Sequence, residues 1–136
     1  MKTSDQTLAY TLARIGMGIN MLVHGLVRLP KLNGFVDYIT GQFEKTALPS
    51  LMVKPYAYAV PFVELGIGVL LILGLLTRQT LVVAMFLMLS LIFGTCLLEN
   101  WANAGSQMVY LAYFAVLLGL RTAYNQQSLD ERLGRS

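Results

Sequence analysis

From Leu8 onward the apolar residues come in long runs rather than stripes. Residues 8–29 form the first run, interrupted by Arg14, His24 and Arg28. Residues 56–76 form the second, broken only by Glu64. A third, 80–98, lies within twenty uncharged positions between Arg78 and Glu99, and a fourth, 106–121, follows and ends on Arg121. At about 1.5 Å per residue, such runs match a hydrocarbon core about 30 Å thick. A helix at a soluble surface would carry a polar stripe. "LGIGVLLILGLL" and "LVVAMFLMLSLIFG" carry none. Barrel strands would alternate polar and apolar, and these do not. The pattern predicts an all-α, polytopic membrane four-helix bundle. It is a single domain over 1–136, with spans at about 8–29, 56–76, 80–98 and 106–121.

The connections add detail. "TRQT" at 77–80 reads as a tight hairpin, and residues 122–136 as a polar tail. In the long connection, 30–54, Phe35, Ile39 and Phe43 recur every four residues, with Asp37, Gln42, Glu44 and Lys45 off that stripe. This predicts a short amphipathic helix lying on the membrane surface, its stripe shielded by lipid. Pro49 and Pro55 bracket its exit. Gly16/Gly18 and Gly66/Gly68 would let the first two spans approach closely.

Composition narrows the function classes. The chain is 56% hydrophobic and 12% charged, about half the charge of a soluble domain. Its net charge of +3 contains no Lys/Arg run, so nucleic acid is no expected partner. The bilayer is. One cysteine, Cys96, and one histidine, His24, exclude an intrachain disulfide, a CxxC pair, a thiolate zinc site and a bis-histidine haem. No metal and no covalently bound cofactor are expected. Arg14 interrupts any signal-peptide core, so the first span reads as a retained anchor. Six basic residues on the terminal side face four on the loop side, which favours cytoplasmic termini.

Candidate chemistry lies in the charges inside the spans. Glu64 sits about 14 Å into the second span, and unpaired it would cost on the order of several kcal/mol. His24 lies about 8 Å and Arg14 about 22 Å from the same side. Glu64 falls between them, which predicts pairing with one of the two. Arg14, His24 and Arg28 share an arc of about 80°, with Asn20 beside them. That cationic face reads either as a packing staple or as a polar pocket for a ligand head group or a proton path. On the same side, Trp101, Gln107, Tyr110 and Tyr113 read either as an aromatic belt or as groups that hold a quinone or lipid head group. The pocket candidates are therefore Arg14, His24, Arg28, Glu64, Trp101, Gln107 and Tyr110.

Several segments resemble one family. "ARIGMGINMLVHGLVRL" resembles the opening of the DoxX family of small bacterial membrane proteins. "PFVELGIGVLLILGLLTR" resembles its second span, "ENWANAGSQMVYLAYFAVLL" the fourth span of one subgroup, and "YNQQSLDERLG" its Ser-Leu-Asp signature. The usual Gly-Leu-Pro of the first loop is here Ala47-Leu48-Pro49. His24, Gly25, Arg28, Glu64, Thr77, Arg78 and Asp130 occupy motif positions. Some relatives are subunits of a membrane thiosulfate:quinone oxidoreductase, and one belongs with an oxidative-stress complex that includes soluble enzymes. The resemblance thus implies a protein of the bacterial inner membrane, a quinone-interacting subunit of a redox complex with a soluble partner. The alternatives are a non-enzymatic scaffold or assembly factor, and a small-solute or proton pathway. Enzymatic activity stays open, because the family has no agreed catalytic residue. A homo-oligomer also stays open.

Overall fold

A computed structural model describes residues 3–135 of the chain. Its elements are α1 (Asp5–Arg28), a 3-10 turn (Leu29–Lys31), α2 (Leu32–Gln42), α3 (Ser50–Leu73), α4 (Thr77–Leu97), α5 (Trp101–Tyr124) and α6 (Leu129–Arg132). Among the described residues there is no strand. Four long helices form the bundle. Of these, α3, α4 and the stretch beginning at Trp101 are long and apolar enough to cross a membrane. The fourth, α1, carries Arg14, His24 and Arg28, yet equals α3 in length at 24 residues and packs along it.

Local signals set the helix ends. The Ser4 hydroxyl accepts from the Thr7 N–H and caps α1, with Asp5 in the first turn, where a carboxylate suits the helix dipole. α3 starts at Ser50 rather than near Tyr56, so Pro55 and Pro61 lie inside it. Each proline removes one backbone donor, a loss that neighbouring helices make tolerable in membrane spans. The hairpin before α4 also sits earlier than 77–80. Gly74, at φ 66°, ends α3 in the left-handed region, and Leu76, at φ 49°, precedes α4. Thr77 to Thr80 form the first turn of α4.

Packing is uneven. α1 lies tightly on α3 and α4 on α5, while the seam between α3 and α4 is looser. Glycines make the first pair close. A Cβ on Gly25 would stand 2.6 Å from the Pro61 carbonyl oxygen, one on Gly18 would stand 2.8 Å from Ile72 Cγ1, and one on Gly68 would strike Leu22. Gly16 and Gly66 face open space. Only one glycine of each sequence pair therefore serves the contact. The core between the helices is apolar and includes Met17, Met21, Ile67, Leu71, Leu81, Met88, Phe114 and Leu117. Two tyrosines tie α1 to α5: Tyr10 donates to the Leu117 carbonyl and Tyr113 to the Ala13 carbonyl, both at 2.8 Å. The outer faces expose Leu12, Phe86, Val109 and Val116, as lipid contact requires.

α2 is the helix expected within 30–54, but its stripe does not meet lipid alone. Val36 is fully buried, and Phe35, Ile39 and Phe43 are half-buried and turned toward the α3–α4 seam. The Phe43 ring rests on Gly94 of α4, where a Cβ would come within 3.1 Å of Cζ. Asp37 and Lys45 are exposed, as the pattern indicates.

Candidate functional site

The looseness between α3 and α4 leaves a cavity at the loop end of the bundle. It encloses about 640 Å³, is partly open, and is roofed by α2. Ile39 and Phe43 of α2, Val53 and Val60 of α3 and Leu91 and Phe93 of α4 supply apolar wall. Arg28, Lys31 and Glu64 supply its charged groups.

Glu64 pairs with Arg28. The guanidinium Nη1 donates to Oε1 at 2.7 Å and to Oε2 at 2.6 Å. The Glu64 side chain is 5% exposed and that of Arg28 28%. Arg28 Cζ lies 4.8 Å from the centroid of the Phe35 ring of α2, an attraction of the cation for the ring face. This corrects the expected pairing with Arg14 or His24. Register decides it. The glycine contacts set Gly25 beside Pro61 and Leu65, so Glu64 lies level with the last turns of α1. Arg28 is 60° from Gly25 around the helix and His24 100°. His24 instead lies 2.7 Å, through Nδ1, from the Asn20 carbonyl oxygen and meets the Tyr110 ring edge-on, centroids 6.5 Å apart.

The second candidate group disperses. Successive steps of three along α5 rotate by 60°, so Gln107 reaches the cavity, Tyr110 the His24 ring and Tyr113 the α1 backbone. Gln107 Oε1 is buried without a partner. Trp101, 65% exposed, stands on the outer surface away from the cavity. Residues the sequence did not single out complete the wall. The Tyr56 and Ser90 hydroxyls bond each other across the seam, and Ser90 Oγ also donates to the Leu87 carbonyl at 2.7 Å. Ser90 is the one polar residue between Leu81 and Gly94, a signal visible in advance.

Arg14 belongs to the opposite end of the bundle. It is 2% exposed, lies against Gly74 and donates through Nη2 to the Gln127 carbonyl at 2.8 Å. There the tail folds back over the α3–α4 turn. The Asp130 carboxylate accepts from the Leu76 N–H and the Thr77 N–H, both at 2.7 Å, and caps α4. Its own N–H donates to the Gly74 carbonyl. Asn125 Nδ2 donates to the Thr77 hydroxyl. Burial pushes the Asp130 carboxyl up, but hydrogen bonds from Thr77 and Leu76 and the charge of Arg121 outweigh it and hold it below its usual value. Of the motif positions, then, Thr77 and Asp130 form this clamp, Arg28 and Glu64 the cavity pair, and Gly25 the helix contact. Arg78 is exposed. Among the described residues no three His, Cys, Asp or Glu side chains gather as a metal site would need.

No curated protein and no solved structure matches the chain. The DoxX family model matches residues 9–97, which run from α1 through α4 and include the cavity pair but not α5 or the tail. That stretch is well over half of the 136 residues, and the chain belongs to the DoxX family of membrane proteins.

Proposed function

We propose that this DoxX protein binds the head group of a membrane quinone in the cavity beneath α2, as a subunit that works with a soluble redox partner. One observation carries the reading: an apolar cavity of about 640 Å³ ends on a carboxylate held by a guanidinium. A quinone head needs a donor for its carbonyl oxygens and a group that exchanges protons at membrane depth. Glu64 engages only Nη1 of Arg28, which leaves Nη2 and Nε to donate to a ligand. Glu64 supplies the proton-exchanging group, and the apolar walls receive the start of an isoprenoid tail. With one histidine and one cysteine in the sequence, electrons come from a partner. The protein sits in the bacterial inner membrane with both termini cytoplasmic, which places the cavity in the outer leaflet. A pathway through the bundle is disfavoured because the apolar core, Met17 to Phe114, separates the cavity from the polar clamp at the other end.

The test titrates wild-type protein and Glu64→Gln with a decyl-chain quinone analogue in one detergent, with melting measured alongside. Wild type is expected to bind saturably, and Glu64→Gln about tenfold more weakly, as loss of one charge-assisted hydrogen bond predicts. Lack of saturable binding by wild type overturns the reading. Lower melting with unchanged affinity overturns it too, and leaves Arg28–Glu64 as a staple between α1 and α3.

A further inference from the structure

A ligand dissolved in the bilayer must reach a cavity that α2 roofs, and the walls differ in what they let through. The glycine contacts of α1 with α3 and the tight packing of α4 on α5 close two sides. The α3–α4 seam is looser. Met52 and Tyr56 on α3 line the cavity and are exposed, as are Ser90 and Phe93 on α4. Phe93 is 61% exposed and shares a face of α4 with Phe86 and Leu97, turned away from the core residues Leu81, Ala84 and Met88. A side chain that points to lipid yet borders the cavity places an opening at the bilayer. By contrast, the exposed polar lining residues Lys31, Gln42 and Asn103 lie near helix ends and border water. The cavity thus has a polar mouth and an apolar one.

The apolar mouth lies at membrane depth. Tyr56 is six residues from Ser50 at the start of α3, and Ser90 is seven from Leu97 at the end of α4, so both sit about 10 Å in from the ends of their helices. With 24 residues, α3 is about 36 Å long and overhangs a core of about 30 Å by about 3 Å at each end. Hydrocarbon therefore meets the seam at Tyr56 and Ser90. Their hydroxyls bond each other across it, one turn deeper than the Phe43 ring on Gly94. This fastening is light. Ser90 Oγ keeps its bond to the Leu87 carbonyl when the seam widens, so opening frees the Tyr56 hydroxyl alone. We propose that this stretch of the α3–α4 seam is a lateral mouth through which a chain-bearing ligand enters from the bilayer. Its head reaches Arg28 and Glu64, and its chain stays between Met52 and Phe93 in contact with lipid. The inference rests on the quinone reading and adds the route and the chain, with Tyr56 and Ser90 as the residues that set the width of the mouth.

The experiment uses a decyl-chain quinone that carries a diazirine at the base of its chain, photolysed on the full-length protein in detergent with and without excess unlabelled analogue. Label that the competitor removes is expected on α3 around Met52 and Tyr56 and on α4 around Ser90 and Phe93. Competed label confined to α1, to α5 or to the polar mouth at Lys31, Gln42 and Asn103 overturns the lateral mouth and leaves the quinone reading standing. Ser90→Trp fills the mouth and should weaken binding of the decyl-chain quinone about tenfold, the worth of about two methylene groups of its chain. Unchanged affinity overturns the mouth as well. Should Ser90→Trp melt below wild type, the labelling pattern alone decides. Absence of competed label together with no saturable binding by wild type overturns both readings.

Discussion

Asp130→Asn removes a charge and one acceptor from the clamp that starts α4. The carboxylate is 2% exposed and takes two backbone N–H groups at 2.7 Å, those of Leu76 and Thr77. Asparagine keeps one oxygen for one of them and turns an NH2 toward the other, donor against donor. A hydrogen bond to a charged group is worth about 1.5–3 kcal/mol net, and a lost N-cap about 0.5–2 kcal/mol. These overlap here, so the expected loss is about 2–4 kcal/mol. The pH dependence follows from the depressed carboxyl. A group whose folded pKa lies below its unfolded value of about 3.9 stabilises fully above about pH 4, and its contribution fades as pH falls through the folded value. Thermal unfolding of both proteins in one detergent, from pH 7 downward, reads this directly. The gap should be widest near neutrality and should close below about pH 4. Equal melting at pH 7 would refute the clamp. A gap unchanged down to pH 3 would show that the carboxylate charge is not its source.

The two glycine pairs give a matched control. Gly68→Ala should lower stability by about 1–3 kcal/mol by overpacking against Leu22, whereas Gly66→Ala, in open space, should gain up to about 1 kcal/mol; equal effects on melting would contradict the α1–α3 contact. Cysteines placed at Thr3, Glu44 and Arg135, all exposed, in a Cys96→Ser background should label as two sets with an impermeant maleimide. Positions 3 and 135 should react from one side and 44 from the other, and labelling of 3 and 135 from opposite sides would rule out an even number of crossings.

The helices were legible because lipid imposes a length and an apolar composition that no other environment demands together. Their ends were less so. Pro55 marked an exit to a sequence reading, yet Ser50 begins α3 and the proline sits inside it. Depth and a shared cationic face do not single out the partner of Glu64 among Arg14, His24 and Arg28. Gly18, Gly25 and Gly68 fix how α1 slides along α3, and that register cannot be computed from either run by itself. Phe35, Ile39 and Phe43 declared an apolar face but not what it would cover, and a protein cavity competes with lipid for the same stripe. Asp130 stood in a recognisable Ser-Leu-Asp segment, but its duty is performed 53 residues away at Thr77. No local pattern encodes that meeting.

That distance bears on how the protein is built. During synthesis α1, α2 and α3 leave the ribosome first, and the glycine contacts between α1 and α3 are then available. The start of α4 follows with bare N–H groups at Leu76 and Thr77. They wait until all of α5 and the turn beyond it have been made, when Asp130 arrives to cover them. The clamp can close only after the rest of the bundle has been made, and a chain stopped before residue 130 leaves the start of α4 without its carboxylate cap.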